Sequence, residues 1–259
     1  MGNPKAIVLR AAGINCDNET RYALELAGSD VDRVHINKLI QNPTMLDQYQ
    51  ILVFPGGFSY GDDVAAGKIL ANQVVHHLYD TIRAFLDKGK LVLGICNGFQ
   101  VLVKTGILPG FDTKQSHVTI SYNDSDKFED RWVHLKPCSD HCVFLEQGRT
   151  LYLPIAHGEG KVVPKDNEVL TQLESGHHMA FQYVDEKGEQ GPYPINPNGS
   201  VLGIAGLTDP TGRVLGLMPH PERNIHPTHH PHWTRNPGNI DCDGITVFKN
   251  AVTYVKSHF

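Results

Sequence analysis

The segment Gly94-Ile95-Cys96-Asn97-Gly98 places a cysteine between two glycines, a position in which it could act as a nucleophile. The form G-x-nucleophile-x-G permits a tight turn from a strand into a helix. That turn puts the thiol at a helix N-terminus, where unpaired N–H groups favour the thiolate. The next N–H, that of Asn97, could donate to an oxyanion. A buried structural cysteine is the alternative, and this segment alone leaves both open.

A thiol nucleophile needs a base, and the base usually needs a third group to fix its tautomer. The segment Met218-Pro219-His220-Pro221-Glu222 offers both. Pro221 favours an extended conformation at His220, and alternate residues of an extended segment point the same way. We therefore expect Glu222 to bond one imidazole nitrogen while the other meets Cys96. Two solvated side chains in a proline-rich loop are the alternative.

A glycine-rich loop, Pro55-Gly56-Gly57-Phe58, directly follows an apolar run. It could turn a backbone N–H into a cleft as a second oxyanion donor. Residues 61–68 are not a P-loop, because five residues separate the glycines and Ile69 follows the lysine. No Rossmann fingerprint opens a helix. The chain order nucleophile, base, acid also differs from that of α/β-hydrolases, which weakens an esterase interpretation.

The remaining cysteines and a histidine-rich segment raise two further questions. Cys16 also follows a strand and precedes a helix, so it is the one rival nucleophile. Two groups could bind zinc or nickel: His226, His229, His230 and His232, and Cys138 and Cys142 with His134 and His141. Prolines in the first group favour a solvated loop, and strands around the second favour structural roles. We therefore expect no metal site.

Helices and strands must position these residues. In the first hundred residues, the predicted strands and helices alternate as in βαβ units. Strands are predicted over 5–10, 31–36, 51–54 and 91–95, and helices from 18 or 19 to 27, over 65–88 and after Cys96. Beyond residue 110, strand-like runs alternate with turns rich in Gly, Pro, Asn and Asp, which predicts antiparallel additions. A last helix is expected over 246–258.

Composition excludes several classes of protein. The 259 residues are 40% hydrophobic and 20% charged, which is typical of a globular core and excludes disorder. A net charge of −5 without a basic run argues against nucleic acid, and no apolar stretch is long enough for a membrane span. Five scattered cysteines favour the reducing cytoplasm. No linker or repeat appears, so residues 1–259 are expected to form a single domain.

Several ordered motifs resemble those of the class I glutamine amidotransferases: PGGFSYGDD, GICNGFQVL, LPIAHGEG, NPNGS and GRVLGLMPHPER. Within that family, GGFSYGD, AHGEG and SYNDSDKFEDRWVHL are similar to the branch that serves phosphoribosylformylglycinamidine synthase. The resemblance extends from residue 13 to the last helix. It implies an α/β fold: a flavodoxin-like three-layer sandwich with a largely parallel central sheet plus antiparallel additions.

The resemblance also implies an activity. Cys96 would attack the carboxamide carbon of glutamine, release ammonia and leave a thioester that water hydrolyses. His220 would act as acid and base, with Glu222 as its partner. The residues implied to hold the oxyanion or the substrate glutamine are Gly57, Phe58, Asn97 and Gln100.

The implied partner is a synthetase subunit, with or without a small bridging subunit. No ATP-binding signature appears in this chain, so it is expected to carry no cofactor, and ATP and magnesium are expected on the synthetase. The ammonia would convert formylglycinamide ribonucleotide to formylglycinamidine ribonucleotide in purine biosynthesis. Two alternatives stay open: a class I glutaminase serving a different nucleotide synthetase, and a catalytically silent regulatory subunit. The segment 226–243 is richer in histidine than the family pattern.

Overall fold

The computed structural model describes residues 2–111, 116–235 and 242–259. The strands are β1 (Lys5–Arg10), β2 (Asp30–His35), β3 (Ile51–Phe54), β4 (Leu91–Ile95), β5 (Val118–Tyr122), β6 (Glu129–Pro137), β7 (Leu151–His157), β8 (Glu159–Pro164), β9 (Met179–Val184), β10 (Ile204–Thr208) and β11 (Val214–Leu217). The α-helices are α1 (Asp17–Leu26), α2 (Ile36–Gln41), α3 (Lys68–His77), α4 (Tyr79–Asp87), α5 (Asn97–Lys104), α6 (Asn167–Ser175) and α7 (Gly244–His258).

A nine-stranded sheet of order β2-β1-β3-β4-β11-β10-β9-β6-β7 forms the centre of the molecule. The first five strands in this order pair in parallel, and the last four add antiparallel pairs. Strands β5 and β8 form a separate two-stranded sheet. The parallel part has the 2-1-3-4-5 order of flavodoxin-like folds. This confirms the predicted α/β architecture with a parallel centre and antiparallel additions.

Helices cover the central parallel strands of the sheet because these strands are apolar. Every residue of β3 and β4 is buried, which requires cover on both faces. Helix α1 contacts α7, and helix α3 contacts α5. In folds of this kind, ligands bind beyond the carboxyl ends of the parallel strands. Those ends are where the candidate nucleophile and the glycine-rich loop lie.

The predicted helix over 65–88 is wrong as a single element, because the chain forms α3 and α4 with a break at Leu78. The backbone of Leu78 leaves helical geometry, with φ −127°, although its side chain is fully buried. Leu70, Val74 and Ile82 are buried as the spacing predicts. Two short helices that share one buried face keep a common apolar period, so the pattern did not reveal the break.

Smaller corrections concern the ends of elements and two helices that the sequence did not predict. Strand β2 ends one residue early because Ile36 begins α2, and the His35 ring caps that helix by accepting from the N–H of Asn37 at 3.2 Å. Helix α6 was also missed, although Asp166 caps it by accepting from the N–H of Val169 at 2.9 Å. The single-domain organisation of residues 1–259 stays a prediction. Within the described ranges, no helix combines the length and hydropathy of a membrane span.

Candidate active site

Cys96 occupies the sharp turn between β4 and α5, with φ 50° and ψ −107°. This backbone conformation is rare and strained for a residue with a side chain. A Cβ on Gly98 would overlap the carbonyl oxygen of Phe54, and one on Gly94 would come within 2.8 Å of the carbonyl oxygen of Gly98. The flanking glycines therefore permit the strained turn, and the predicted strand–turn–helix is confirmed.

His220 and Glu222 form a buried pair at the carboxyl end of β11. Nδ1 of His220 lies 2.6 Å from Oε1 of Glu222, and the two residues are 2% and 1% exposed. The N–H of His220 donates to the carbonyl oxygen of Pro154 at 2.8 Å, which fixes the backbone next to β7. His220 is extended, as Pro221 predicts, but Glu222 lies in a 3₁₀ turn. The predicted pair is present, although a turn and not an extended segment brings the carboxylate to the ring.

The charge around His220 favours its protonated form despite the burial. Burial would lower the pKa of His220, but the Glu222 carboxylate, Cys96 and Cys16 together raise that pKa well above its usual value. Nε2 of His220 is buried and has no hydrogen-bond partner among the described residues. Because Glu222 engages Nδ1, only Nε2 remains to exchange a proton with the thiol of Cys96.

Two hydrogen bonds anchor the carboxyl end of the glycine-rich loop. Phe58 donates its N–H to the carbonyl oxygen of Gly13 at 2.9 Å, and Ser59 donates its N–H to Oδ1 of Asn97 at 3.3 Å. Gly57 has φ 140°, and a Cβ there would lie 2.7 Å from the nitrogen of Asn15. In the described part of the chain, the N–H groups of Gly57 and Asn97 have no hydrogen-bond acceptor. Both predicted oxyanion donors are therefore available.

An open cavity of about 160 Å³ lies beside Cys96. Gly57, Phe58 and Gln100 line it, and their role in binding the oxyanion or the substrate stays a prediction. The Gln100 amide is already bonded at both ends: Nε2 donates to the carbonyl oxygen of Glu159 at 2.6 Å, and Oε1 accepts from Asn97 Nδ2 at 3.0 Å. In this structure Gln100 thus builds the cavity wall. The side chain of Asn97 links this wall to the glycine-rich loop, because its Nδ2 donates to Gln100 and its Oδ1 accepts from the N–H of Ser59.

Two carboxylates of the cavity were not predicted from the sequence. Asp62 and Glu159 both line it. Burial raises the pKa of Asp62, hydrogen bonds from Gly67 and Asn97 oppose the rise, and the charge of Glu159 adds to it. Asp62 belongs to GGFSYGD and Glu159 belongs to AHGEG. Both carboxylates were therefore visible in the motifs, but the glycines and the histidine of these motifs drew attention first.

His157 is a further buried histidine that the sequence did not predict as part of the site. Its Nδ1 lies 3.1 Å from Oδ1 of Asn123, whose Nδ2 donates to the carbonyl oxygen of His157. Burial, with a smaller effect of His220, lowers the pKa of His157 to about 3. His157 is therefore neutral across the physiological range of pH.

Cys16 lies near the pair but does not line the cavity beside Cys96. Its thiol is 1% exposed, and burial raises its pKa. Arg223 Nη2 donates to Cys16 Sγ at 3.1 Å. Cys96 is buried as well, but it lines the cavity that Cys16 does not reach, so the geometry favours Cys96 over its rival.

Among the described residues, neither of the two clusters considered from the sequence brings three ligand atoms together. Within residues 2–111, 116–235 and 242–259, one group of three cysteine, histidine or acidic side chains could hold a metal ion, and it consists of Cys16, His220 and Glu222. The histidines of the 226–232 segment pack edge-to-face on one another and at a tilt on aromatic side chains instead, with His226 5.6 Å from Tyr22 between ring centroids.

The sequence model of the family described as a CobB/CobQ-like glutamine amidotransferase domain matches residues 3–255. The chain belongs to this glutamine amidotransferase family. This amidotransferase is 46% identical to phosphoribosylformylglycinamidine synthase subunit PurQ of Dehalococcoides mccartyi, over 99% of each chain. It is 40% identical to the subunit of that name from Methanococcus maripaludis strain S2, over 97% of each chain.

Solved structures agree with this membership. The amidotransferase superposes on a chain of the structure of PurLQS from Thermotoga maritima with a TM-score of 0.74 and 31% identity, covering 98% of this chain and 99% of that one. It also matches the glutaminase domain of Trypanosoma brucei CTPS with bound acivicin, with a TM-score of 0.57 and 11% identity, over 98% and 94% of the two chains. The second likeness supports the fold alone.

Proposed function

We propose that this chain is the glutaminase subunit of phosphoribosylformylglycinamidine synthase. It hydrolyses glutamine to glutamate and ammonia, and the ammonia serves the ATP-dependent conversion of formylglycinamide ribonucleotide to formylglycinamidine ribonucleotide in purine biosynthesis. The observation that carries this proposal is the strained turn at Cys96, which presents a thiol to an open cavity next to the buried His220–Glu222 pair. The family and the PurQ relatives supply the identity of the synthase.

In the proposed reaction, the proton of Cys96 first passes to His220 Nε2, which gives the charged imidazole that Glu222 favours, and Cys96 Sγ then bonds to the carboxamide carbon of glutamine. The oxyanion accepts hydrogen bonds from the N–H groups of Gly57 and Asn97. His220 returns the proton to the departing nitrogen, so ammonia leaves and a γ-glutamyl thioester remains. Water then attacks the thioester with His220 as base, and glutamate and the free thiol are released. Glu222 holds Nδ1 protonated and stabilises the charged ring.

The cavity walls fit the amino-acid end of the substrate. Glutamine carries an α-ammonium group, and Asp62 and Glu159 bring two carboxylates to the cavity. Burial is the main cause that raises the pKa of Asp62, and an ammonium placed between the two carboxylates relieves the smaller rise that the charge of Glu159 adds. Phe58, which is about half exposed, covers the mouth next to Phe128, with the two ring centroids 6.4 Å apart.

The proposed partner is the synthetase subunit of the same synthase, with or without a small bridging subunit. ATP and magnesium belong to that synthetase in this proposal, since the chemistry placed on this chain needs only a thiol, a base and backbone donors. The likeness to a chain of PurLQS supports an assembly of this kind. Cys16, Cys96, Cys138 and Cys142 are free thiols, which supports a cytoplasmic location.

Covalent labelling of the active-site thiol tests the proposal. The full chain, alone and with the synthetase subunit, is treated with a glutamine-mimicking diazo-ketone and mapped by peptide mass spectrometry. We expect a single adduct on Cys96 that excess glutamine prevents, and no adduct on Cys16. Cys138→Ala, which removes a half-buried thiol outside the cavity, is the matched control. No Cys96 adduct even in the complex would support the silent regulatory subunit instead.

A further inference from the structure

The thiol of Cys16 lies beside the His220–Glu222 pair. One ligand-capable atom of each residue lies within 4.8 Å of the other two, and all three residues are buried. In the described ranges, no other three cysteine, histidine or acidic side chains meet this condition. The reaction proposed above gives Cys16 no part. This grouping therefore needs a separate explanation.

Two buried atoms of the cluster have no hydrogen-bond partner among the described residues: Oε2 of Glu222 and Nε2 of His220. The reaction accounts for Nε2, which serves Cys96. It does not account for Oε2, which is a buried carboxylate oxygen without a donor. Such an atom is costly unless a proton donor or a cation reaches it.

We propose that Cys16, His220 and Glu222 form an inhibitory binding site for a soft divalent cation, represented by Zn²⁺. The inference that the bound cation inhibits the enzyme rests on the proposed glutaminase function, whereas the inference that the cation binds here does not. Thiolate, imidazole and carboxylate are the side chains that zinc prefers. Ligand atoms of a tetrahedral zinc site lie about 3.5 Å apart, so Cys16 has to approach by about 1 Å at most, and the 2.6 Å contact between His220 Nδ1 and Glu222 Oε1 has to open by about 1 Å to admit the ion.

A resident cation already competes for the thiol. Arg223 Nη2 lies 3.1 Å from Cys16 Sγ, and its Nε donates to Glu19 at 2.9 Å. The Arg223 side chain is 37% exposed. Nη2 can therefore turn toward solvent while Nε keeps its bond to Glu19. Removing the guanidinium is expected to strengthen zinc binding, because one positive charge then no longer has to be displaced.

Zinc at this site would stop catalysis without binding Cys96. When His220 is neutral, its ring proton sits on Nδ1 and is shared with Glu222. Zinc bound to Nδ1 moves that proton to Nε2, and Cys16 releases its own proton to solvent as the zinc–sulfur bond forms. One proton leaves per zinc bound. Nε2 then carries hydrogen and cannot accept the proton of Cys96.

The test measures metal binding and activity separately on the full chain. Equilibrium dialysis with Zn²⁺, and the sulfur-to-metal absorption of bound Co²⁺, report binding whether or not the chain is a glutaminase. Ammonia release from glutamine, by the chain with its synthetase subunit, reports inhibition. We expect one zinc per chain, a Co²⁺–thiolate band, and loss of glutaminase as that site fills.

Three variants decide the assignment. Cys16→Ala is expected to raise the zinc concentration for half-occupancy by at least about tenfold and to abolish the Co²⁺–thiolate band. Arg223→Gln is expected to lower that concentration, and Cys138→Ala to leave it unchanged. Cys16→Ser replaces Cys16→Ala if the alanine variant does not fold. Zinc binding that is equal in the Cys16 variant and the parent chain overturns the proposal, as does the absence of stoichiometric binding. Binding as expected by a chain without glutaminase activity would overturn the proposed function alone.

Discussion

Nδ1 of His220 lies 2.6 Å from Oε1 of Glu222, and neither side chain reaches solvent to more than 2%. A carboxylate in this position supplies charge and orientation together. It holds the ring proton on Nδ1, leaves Nε2 free for Cys96, and stabilises the imidazolium that forms when the thiol loses its proton.

Glu222→Gln tests that charge directly. The amide keeps the approximate shape of the carboxylate but loses its charge, so the pKa of His220 falls and the tautomer is no longer fixed. We expect the kcat of glutamine hydrolysis by the complex to fall about 10²- to 10⁴-fold. Steady-state ammonia release measures it, and the exposed Glu189→Gln is the control. A kcat within twofold of the parent value would show that Glu222 does not support the base.

Cys96→Ala separates ammonia production from ammonia use. Without the thiol no γ-glutamyl thioester can form, so we expect glutamine-dependent amidation by the complex to disappear. Amidation from added ammonium salt should persist, because that chemistry is placed on the synthetase. Loss of both activities in a complex that still assembles would contradict this division of labour.

Asp62→Asn tests the proposed binding site for the α-ammonium group of the substrate glutamine. Removal of one carboxylate from the cavity is expected to raise the KM for glutamine about 10- to 100-fold, with a smaller change in kcat. Asp63→Asn is the matched control, since Asp63 is exposed and does not line the cavity. An unchanged KM would place the ammonium elsewhere.

His157 should make stability depend on pH in the acidic range. Its pKa is about 3 in the folded chain and near 6.5 when unfolded. Below pH 6.5 the unfolded chain therefore binds a proton that the folded chain does not. The free energy of unfolding is expected to fall as pH drops from 6.5 toward 3, by roughly 1.4 kcal/mol per unit at most. Urea unfolding at several pH values should show a shallower slope for His157→Gln. An equal slope would assign the dependence to other groups.

Gly98→Ala tests the packing of the turn at Cys96. The added Cβ would overlap the Phe54 carbonyl oxygen, so the strand or the helix must move. We expect a loss of about 1–3 kcal/mol in the free energy of unfolding. Gly158→Ala, where the structure leaves open space for a Cβ, is the control. A thermal or urea midpoint that is equal in the two variants would mean that the turn tolerates a side chain.

The sequence by itself determined the first four parallel strands, the strand–turn–helix at Cys96 and the extended conformation of His220. These features depend on local rules: apolar runs of strand length, glycines that permit a tight turn, and proline beside a histidine. A turn, and not the predicted extended segment, brings Glu222 to the His220 ring, and β11 is parallel to β4 although it lies beyond residue 110. Local rules did not reveal the break at Leu78, because two helices that bury one face share a single apolar period.

The tertiary structure alone decided which distant residues meet. Asp62 and Glu159 are 97 positions apart, yet both line the cavity at Cys96. Cys16 is separated from His220 by most of the chain, yet the two residues lie close together, because Cys16 follows β1, His220 follows β11, and the carboxyl ends of these parallel strands lie at the same edge of the sheet. Neither encounter leaves a local pattern in the sequence. Sheet order brings these residues together, and burial then sets their charge.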